Sequence, residues 1–472
     1  MALDREELRR LCMTDPDRVV DLVERLEARI AELEARQNQN SRNSSRPPSM
    51  DVFIRPRSQR VKGERQAGGQ KGHPGCTLRQ VDCPDIVVVH RVEECDRCNA
   101  ILADVPAAGV ERRQVFEIPP LKIFVTEHRA ETKQCSSCKK LVRAEFPLGV
   151  RHPVQYGLYL KAFIVYLLVF QLVPYDRIAV LFRDLFGHSI GKGTMVNCVK
   201  SCYRELGEVE SVVRGLLRDG GLLHADETGF KLNGKQEWLH VASTGILTWY
   251  SHHKKRGLDA MRSYGIMPRF TGVMVHDFWK PYFSFRCGHA ICNAHLVREL
   301  QGISEAFGQE WSSKLKDLIQ RAKKTVDDTR CINKDCIDPC ELAGFESEYA
   351  GIMGLGIEEN VGGVIRKGKR GPLKQTRAKN LLDRCVEYRK EILSFMYDFR
   401  IPFDNNQAER DIRMVRLHEK ISGTTRSDEG ADWFCRIRGY ISTCRKNNQP
   451  VLTFLANAFE GHPFTPTPPP NI

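Results

Sequence analysis

Gly221–Ser251, GLLHADETGFKLNGKQEWLHVASTGILTWYS, is the stretch whose reading decides the fold. It reads as three β-strands in succession. The apolar run Gly221-Leu222-Leu223 leads to an acidic cluster, Asp226 and Glu227, at the end of the first strand. Gly229 and Gly234 punctuate the stretch, and Trp238 to Ser243 and Ile246 to Tyr250 supply two further strand-like runs. A carboxylate at the end of a buried strand is costly unless something cationic meets it there. Successive strand residues point to opposite faces, so only one of Asp226 and Glu227 can belong to such a site. Asp226 is the one chosen.

Working outward, Gly257 to Tyr264 reads as a short helix. A fourth strand follows from Thr271 to His276 and ends in Asp277, and Ala290 to Ile303 reads as a helix. Three strands, helix, strand, helix, with an aspartate on the first and fourth strands, is the order of a ribonuclease-H-like core. In that fold strands one and four are neighbours, which would set Asp226 beside Asp277. A third acid comes from the helix opened by DNNQAERDIR, with Asp404 or Asn405 as its N-cap. Glu409, Arg413 and Arg416 share one face of it. The plain alternative for Glu409 is an i,i+4 salt bridge to Arg413, and Asp404 and Asp411 are rival third acids. Three carboxylates can hold two Mg²⁺ (or Mn²⁺) ions about 3.5–4 Å apart on a phosphodiester.

Composition points the same way. The chain has 472 residues and a net charge of +13, which favours a polyanionic partner, DNA first. The opening MALDREELRR is charged and reads as no secretory signal, and the longest apolar run, Ala162 to Val173, is too short to span a bilayer. A cytoplasmic, nucleoid-associated protein without a membrane partner is expected. Its 17 cysteines are then metal ligands or buried thiols rather than disulfides. Cys95, Cys98, Cys135 and Cys138 form two CxxC pairs suited to one structural Zn²⁺ in a ribbon whose body includes Lys122 to Thr126. Val19, Val23, Leu26, Ile30 and Leu33 trace an a/d seam, predicting a coiled-coil helix and a homo-oligomer, with Arg29 facing Glu34 of a parallel partner.

The expected organisation is multidomain α+β. A coiled-coil helix (1–40) and a basic linker (41–85) precede a zinc-binding ribbon (86–145). A helical, helix-turn-helix-like domain (150–217) leads into the catalytic core (218–425), which carries a helical insertion at about 305–395. C-terminal helices (426–464) and a proline-rich tail (465–472) follow. In the insertion, Cys331, Cys336 and Cys340 read as free cysteines. A basic arm there, with Arg366, Lys367, Lys369, Arg370, Lys374, Arg377 and Lys379, suits backbone phosphates, as do Arg413 and Arg416.

Several motifs together resemble a known family, the DDE transposases of the insertion-sequence-sixty-six group. They are Asn43–Ser49 (NSSRPPS), Gly68–Gly75 (GGQKGHPG), the CxxC pairs, His224–Thr228 (HADET), Cys292–Leu300 (CNAHLVREL) and Pro402–Arg410 (PFDNNQAER). The resemblance implies that Asp226, Asp277 and Glu409 are the catalytic, magnesium-binding triad. It also implies that Cys292 and His295 are the CxxH that follows the second aspartate on a helix, as a structural feature or a metal site. The implied activity is cleavage at an element's terminal inverted repeats and joining of the 3′-hydroxyl to target DNA. In some elements accessory proteins are encoded beside the transposase. Two other readings compete: a zinc-ribbon DNA-binding protein without catalysis, and a related nuclease that cuts branched DNA without strand transfer.

Overall fold

The computed structural model describes residues 5–40, 43–44, 77–361, 364–365 and 374–468. Arg366, Lys367, Lys369 and Arg370 of the basic arm, and Gly68–Gly75, lie outside the described residues. Two helices open the chain, α1 (Arg5–Thr14) and α2 (Pro16–Gln37), the second capped by Asp15, whose side chain accepts from the Arg18 N–H. Strands β1 (Thr132–Gln134) and β2 (Leu141–Arg143) pair antiparallel around the second CxxC, whereas Lys122 to Thr126 forms no strand. Four helices follow: α3 (Leu158–Val165), α4 (Tyr175–Phe186), α5 (Lys192–Glu205) and α6 (Gly207–Arg218). Gly187, at φ 62°, closes α4 in the left-handed conformation that glycine adopts without steric cost.

The opening stretch forms β3 (Leu222–Leu232), β4 (Lys235–Ser243) and β5 (Thr248–His253). Asn233 and Gly234, both at positive φ, make the tight turn between the first two. Helix α7 (Leu258–Ser263), β6 (Val273–His276) and β7 (Gly288–Ile291) complete a sheet of order β5-β4-β3-β6-β7. β3 is antiparallel to β4 and parallel to β6, so the first and fourth strands are neighbours. β7 is a strand the sequence reading did not anticipate, because Gly-His-Ala-Ile is too short to show a period. At Gly272 a Cβ would lie 2.4 Å from the Gly221 carbonyl oxygen, so the two strands can enter side by side only without a side chain there.

Helices α8 (Asn293–Phe307), α9 (Glu310–Cys331) and α10 (Pro339–Glu359), the short pair β8 (Val364–Ile365) and β9 (Lys374–Gln375), then α11 (Arg377–Glu387) and α12 (Arg389–Tyr397) fill the interval before the third acid. The chain closes with α13 (Asn406–Ser422), α14 (Asp428–Lys446) and α15 (Val451–Phe459). One apolar core joins α3–α6, the sheet and α13–α15, and a second joins β6, β7 and α8–α12. They meet at β6, where Met274 enters the first core and Val275 the second.

Candidate active site

β3 does not end at its acids. Its pairing with β4 runs on to Leu232, so Asp226 sits in mid-strand, opposite Val241. The parallel ladder with β6 is shorter and stops at His224 opposite Val275. Continuing that register by two positions brings Asp226 level with Asp277, just beyond the last bonded pair. The two aspartates therefore stand where the ladder has opened, which the apolar run alone could not reveal.

Helix α13 lies along the same face of β3. At its start the Asn405 side chain is buried: its Oδ1 meets His224 Nδ1 at 2.8 Å and its Nδ2 donates to the Ala225 carbonyl at 2.8 Å. Farther on, Arg416 Nε donates to Thr228 Oγ1 at 2.8 Å, and Glu419 accepts from the Lys231 N–H. Between these anchors Glu409 comes down over the strand. Asn405 stands at the N-cap position but caps nothing with its side chain; Asp404 accepts the Asn406 N–H at 3.0 Å instead. The rival Asp411 is buried and engaged by Lys446 at 2.8 Å. Glu409 Oε1 lies 3.7 Å from His295 Nδ1, beyond hydrogen-bond reach, and Arg413 stays exposed.

Burial raises the proton affinity of all three candidate acids. The Asp226 carboxyl is held well above the usual range by burial first, then by Glu227, Asp277 and Glu409, against the Glu227 N–H it accepts at 2.8 Å. Asp277 is raised by burial, opposed by the Trp279 N–H at 3.0 Å and by Arg256. Glu409 is raised by burial, opposed by Arg298. Asp226 senses the charges of both other acids, yet the oxygens of the three do not all lie within 4.8 Å of each other. Glu409 Oε1 is buried without a hydrogen-bond partner. Buried carboxylate oxygens, one of them with no donor of its own, are hard ligands that fit Mg²⁺ or Mn²⁺.

Glu227, the sequence neighbour, turns to the opposite face. It accepts from Arg256 Nε at 2.9 Å and Nη2 at 2.7 Å, and from the Tyr282 hydroxyl. The Arg256 guanidinium stacks on Trp279, 4.0 Å from the ring centre, with Trp238 at 4.9 Å. Burial and Asp277 still push Glu227 up to about 6. Arg256 and Tyr282 went unnoticed in the sequence, and Asn405 was read only as an N-cap, since each acts through a partner remote in the chain.

The CxxH does not lie wholly on a helix face. Cys292 is the buried N-cap of α8, its Sγ accepting the Asn405 N–H at 3.3 Å. Cys292, His295 and Glu409 each present one donor atom, all within 4.8 Å of one another. Burial pushes the Cys292 thiol up to about 12 and lowers His295 to about 4.

The two CxxC turns are built alike. The Cys95 N–H donates to the Ala100 carbonyl and the Asn99 N–H to that of Cys95; Cys135, Lys140 and Lys139 repeat this pattern. Asn99 and Lys139 both take positive φ. Backbone N–H groups aimed at Cys95 and Cys135 lower both thiols, so each turn is a half-site fit for zinc. The two half-sites are not brought together: no three of the cysteine sulfurs lie within 4.8 Å of one another. Cys331, Cys336 and Cys340 are exposed, free and in no such cluster. Of the basic arm, Lys374 begins β9, and Lys379 is tied to Asp383 at 2.7 Å.

A mixed helix-and-sheet chain with paired CxxC turns and an acidic centre on its sheet is thus the class to which these features belong. Residues 93–139 match the zinc-finger binding domain of transposase IS66, and residues 4–79 match a family of unknown function. Residues 153–433 match the Transposase IS66 family, and the chain belongs to that family. It is therefore of a DNA-cleaving and DNA-transferring class, with a zinc-binding domain. A search of curated proteins finds no match. No helix among the described residues is long and apolar enough to cross a membrane.

Proposed function

We propose that this chain is a DDE transposase that cuts the terminal inverted repeats of its element and joins the freed 3′-hydroxyl to target DNA. The observation that supports the reading is that three acids, on β3, just after β6 and on α13, each have their proton affinity raised by burial, Asp226 also by the charges of the other two. Strand order and the position of α13 support a ribonuclease-H-like core. Asp226, Asp277 and Glu409 would hold two Mg²⁺ ions, which when bound supply an activated oxygen nucleophile and stabilise the leaving oxygen. The chain's own residues orient the acids. Asn405 pins the start of α13 to β3, Arg416 pins its middle, and Arg256 draws Glu227 to the far face. Arg366, Lys367, Lys369, Arg370, Lys374, Arg413 and Arg416 are the proposed phosphate contacts, and the zinc-binding domain a further DNA-binding part. Val23, Leu26, Ile30 and Leu33 form an exposed apolar stripe on α2, consistent with self-association, although Arg29 here bonds Glu32 within its own helix.

The test is Mg²⁺-dependent nicking of a duplex bearing the terminal repeat. Asp226→Asn, Asp277→Asn and Glu409→Gln should each lower the rate at least a thousandfold, in line with the several kcal/mol such ions supply. Cleavage undiminished in all three sinks the triad. Binding without cleavage under any divalent ion favours the non-catalytic reading, and cutting of branched DNA without joining favours a nuclease.

A further inference from the structure

The outer hairpin of the sheet holds a second cluster that the proposed reaction does not use. Leu239 is paired with His252, and residues two apart on a strand share a face, so Glu237 on β4 and His252 on β5 point the same way. The first turns of α14 cover them and bring Asp428 and Asp432. The side chains of Glu237 and His252 are only 9% and 10% exposed. His252 Nε2 meets Asp432 Oδ1 at 3.1 Å, while Nδ1 faces Glu237 Oε2 at 3.5 Å. Neither of those last two atoms has a hydrogen-bond partner. Glu237, His252 and Asp428 each offer one donor atom within 4.8 Å of the other two.

With Nε2–H donating to Asp432, the Nδ1 lone pair is aimed at an oxygen lone pair of Glu237. Two buried acceptors in that relation are unfavourable unless a proton or a cation lies between them. The 3.5 Å separation exceeds the ordinary N–H···O range of about 2.7–3.2 Å. It does match the spacing of about 3.4 Å between two ligands that sit about 2.1 Å from one tetrahedral ion. A carboxylate on the far ring nitrogen is also the usual partner of a metal-bound histidine, fixing its tautomer and orientation.

We propose that Glu237 Oε2, His252 Nδ1 and a carboxylate oxygen of Asp428 bind one divalent transition ion, with Asp432 orienting the imidazole. An imidazole with two carboxylates suits Zn²⁺ rather than Mg²⁺, and leaves a fourth position for water. The site is separate from the acidic centre. Glu237 is opposite Phe230, four residues along β3 from Asp226, a separation of about 13 Å at strand rise. The ion ties β4 and β5 to the start of α14, directly after the loop that leaves α13.

Zinc bound by the full-length protein is counted by metal analysis after equilibration at micromolar free Zn²⁺, and followed by thermal unfolding. The expected result is one equivalent fewer in His252→Gln than in the wild type. Asp428→Ala, which changes only an exposed residue, should weaken that equivalent at least tenfold and leave the circular dichroism unchanged. Added Zn²⁺ should raise the unfolding midpoint of the wild type but not of His252→Gln. Equal zinc content in all three proteins overturns the proposal and leaves an imidazolium–carboxylate pair. So does an equivalent that survives both variants but is lost in Cys292→Ser or Asp226→Asn.

Discussion

Asp226 and Glu227 are adjacent in sequence and opposite in fate, and strand alternation alone separates them. Asp226 is burdened by burial and by three other carboxylates, with a single backbone N–H in compensation. Its folded proton affinity exceeds its unfolded one, so its contribution to stability is full below the ordinary carboxylate range, about pH 4, and is lost as the pH rises. Asp226→Asn removes that liability. In metal-free protein the variant should therefore unfold about 2 °C above the wild type at pH 7.5. The advantage should shrink toward pH 5, as scanning calorimetry at the two values would show. Added Mg²⁺ should raise the wild-type midpoint and leave that of the variant unmoved, because only the former keeps the full ligand set. A variant less stable than the wild type at pH 7.5 contradicts this account. Glu227→Gln should by contrast retain Mg²⁺-dependent nicking within about tenfold, since its carboxylate serves Arg256 and Tyr282 rather than the metals. Loss of nicking as complete as in Asp226→Asn would return Glu227 to the metal set. Alternation was legible in the sequence. The cradle was not, because Arg256 and Tyr282 reach Glu227 from elsewhere in the chain and Trp238 and Trp279 act only through Arg256.

At the scale of elements, α13 is held from both sides, and both grips depend on residues that look ordinary in sequence. Beneath it are Asn405 and Arg416, and behind it is Lys446 of α14, which donates to Asp411 at 2.8 Å and to the Thr244 and Leu247 carbonyls. The Asp411 and Lys446 side chains are 8% and 12% exposed. Burial lowers the Lys446 ammonium and the Asp411 charge opposes that shift, so neither charge can lose its partner cheaply. Lys446→Ala should destabilise the core by about 3 kcal/mol in urea titration, and Lys446→Ala with Asp411→Ala by less than the sum of the single changes. Additive effects would mean the pair is not coupled. The i,i+4 rule suggested Glu409 with Arg413, which is a local guess. The side chain Glu409 approaches instead, His295 at 3.7 Å, belongs to another helix, and no periodicity encodes that. Helices such as α4, α9, α14 and α15 were legible, because their apolar stripes are local signals, whereas α10–α12 were foreseen only as a helical insertion. The mid-strand position of Asp226 was hidden for the opposite reason. Where the β6 ladder stops depends on the partner strand.

At the scale of the whole molecule, two apolar cores account for residues 158–459, whereas no residue from 77 to 155 is buried. Ile86, Val87, Val88, Val89, Val115 and Val125 are all largely exposed, so this segment has no hydrophobic interior to hold it. Backbone turns hold it, and zinc bound by this zinc-binding domain would add binding free energy that is also folding free energy. The CxxC spacing was readable because thiolate coordination is local. The scarcity of apolar contacts was not, since valines and isoleucines in a sequence normally announce a core. Chelation should therefore act on one part of the molecule only. Removing zinc should open the segment 77–155 to proteolysis while the fragment from about residue 156 onward survives intact by mass spectrometry. The unfolding midpoint of that core should stay within about 1 °C, because no buried contact of the core is lost. Cys95→Ser should reproduce the cleavage pattern without a chelator. Cys135→Ser should do the same from the other end of the module, since one shared ion would need both half-sites. A cleavage pattern unchanged by chelation and by both variants would show that something other than zinc orders the segment.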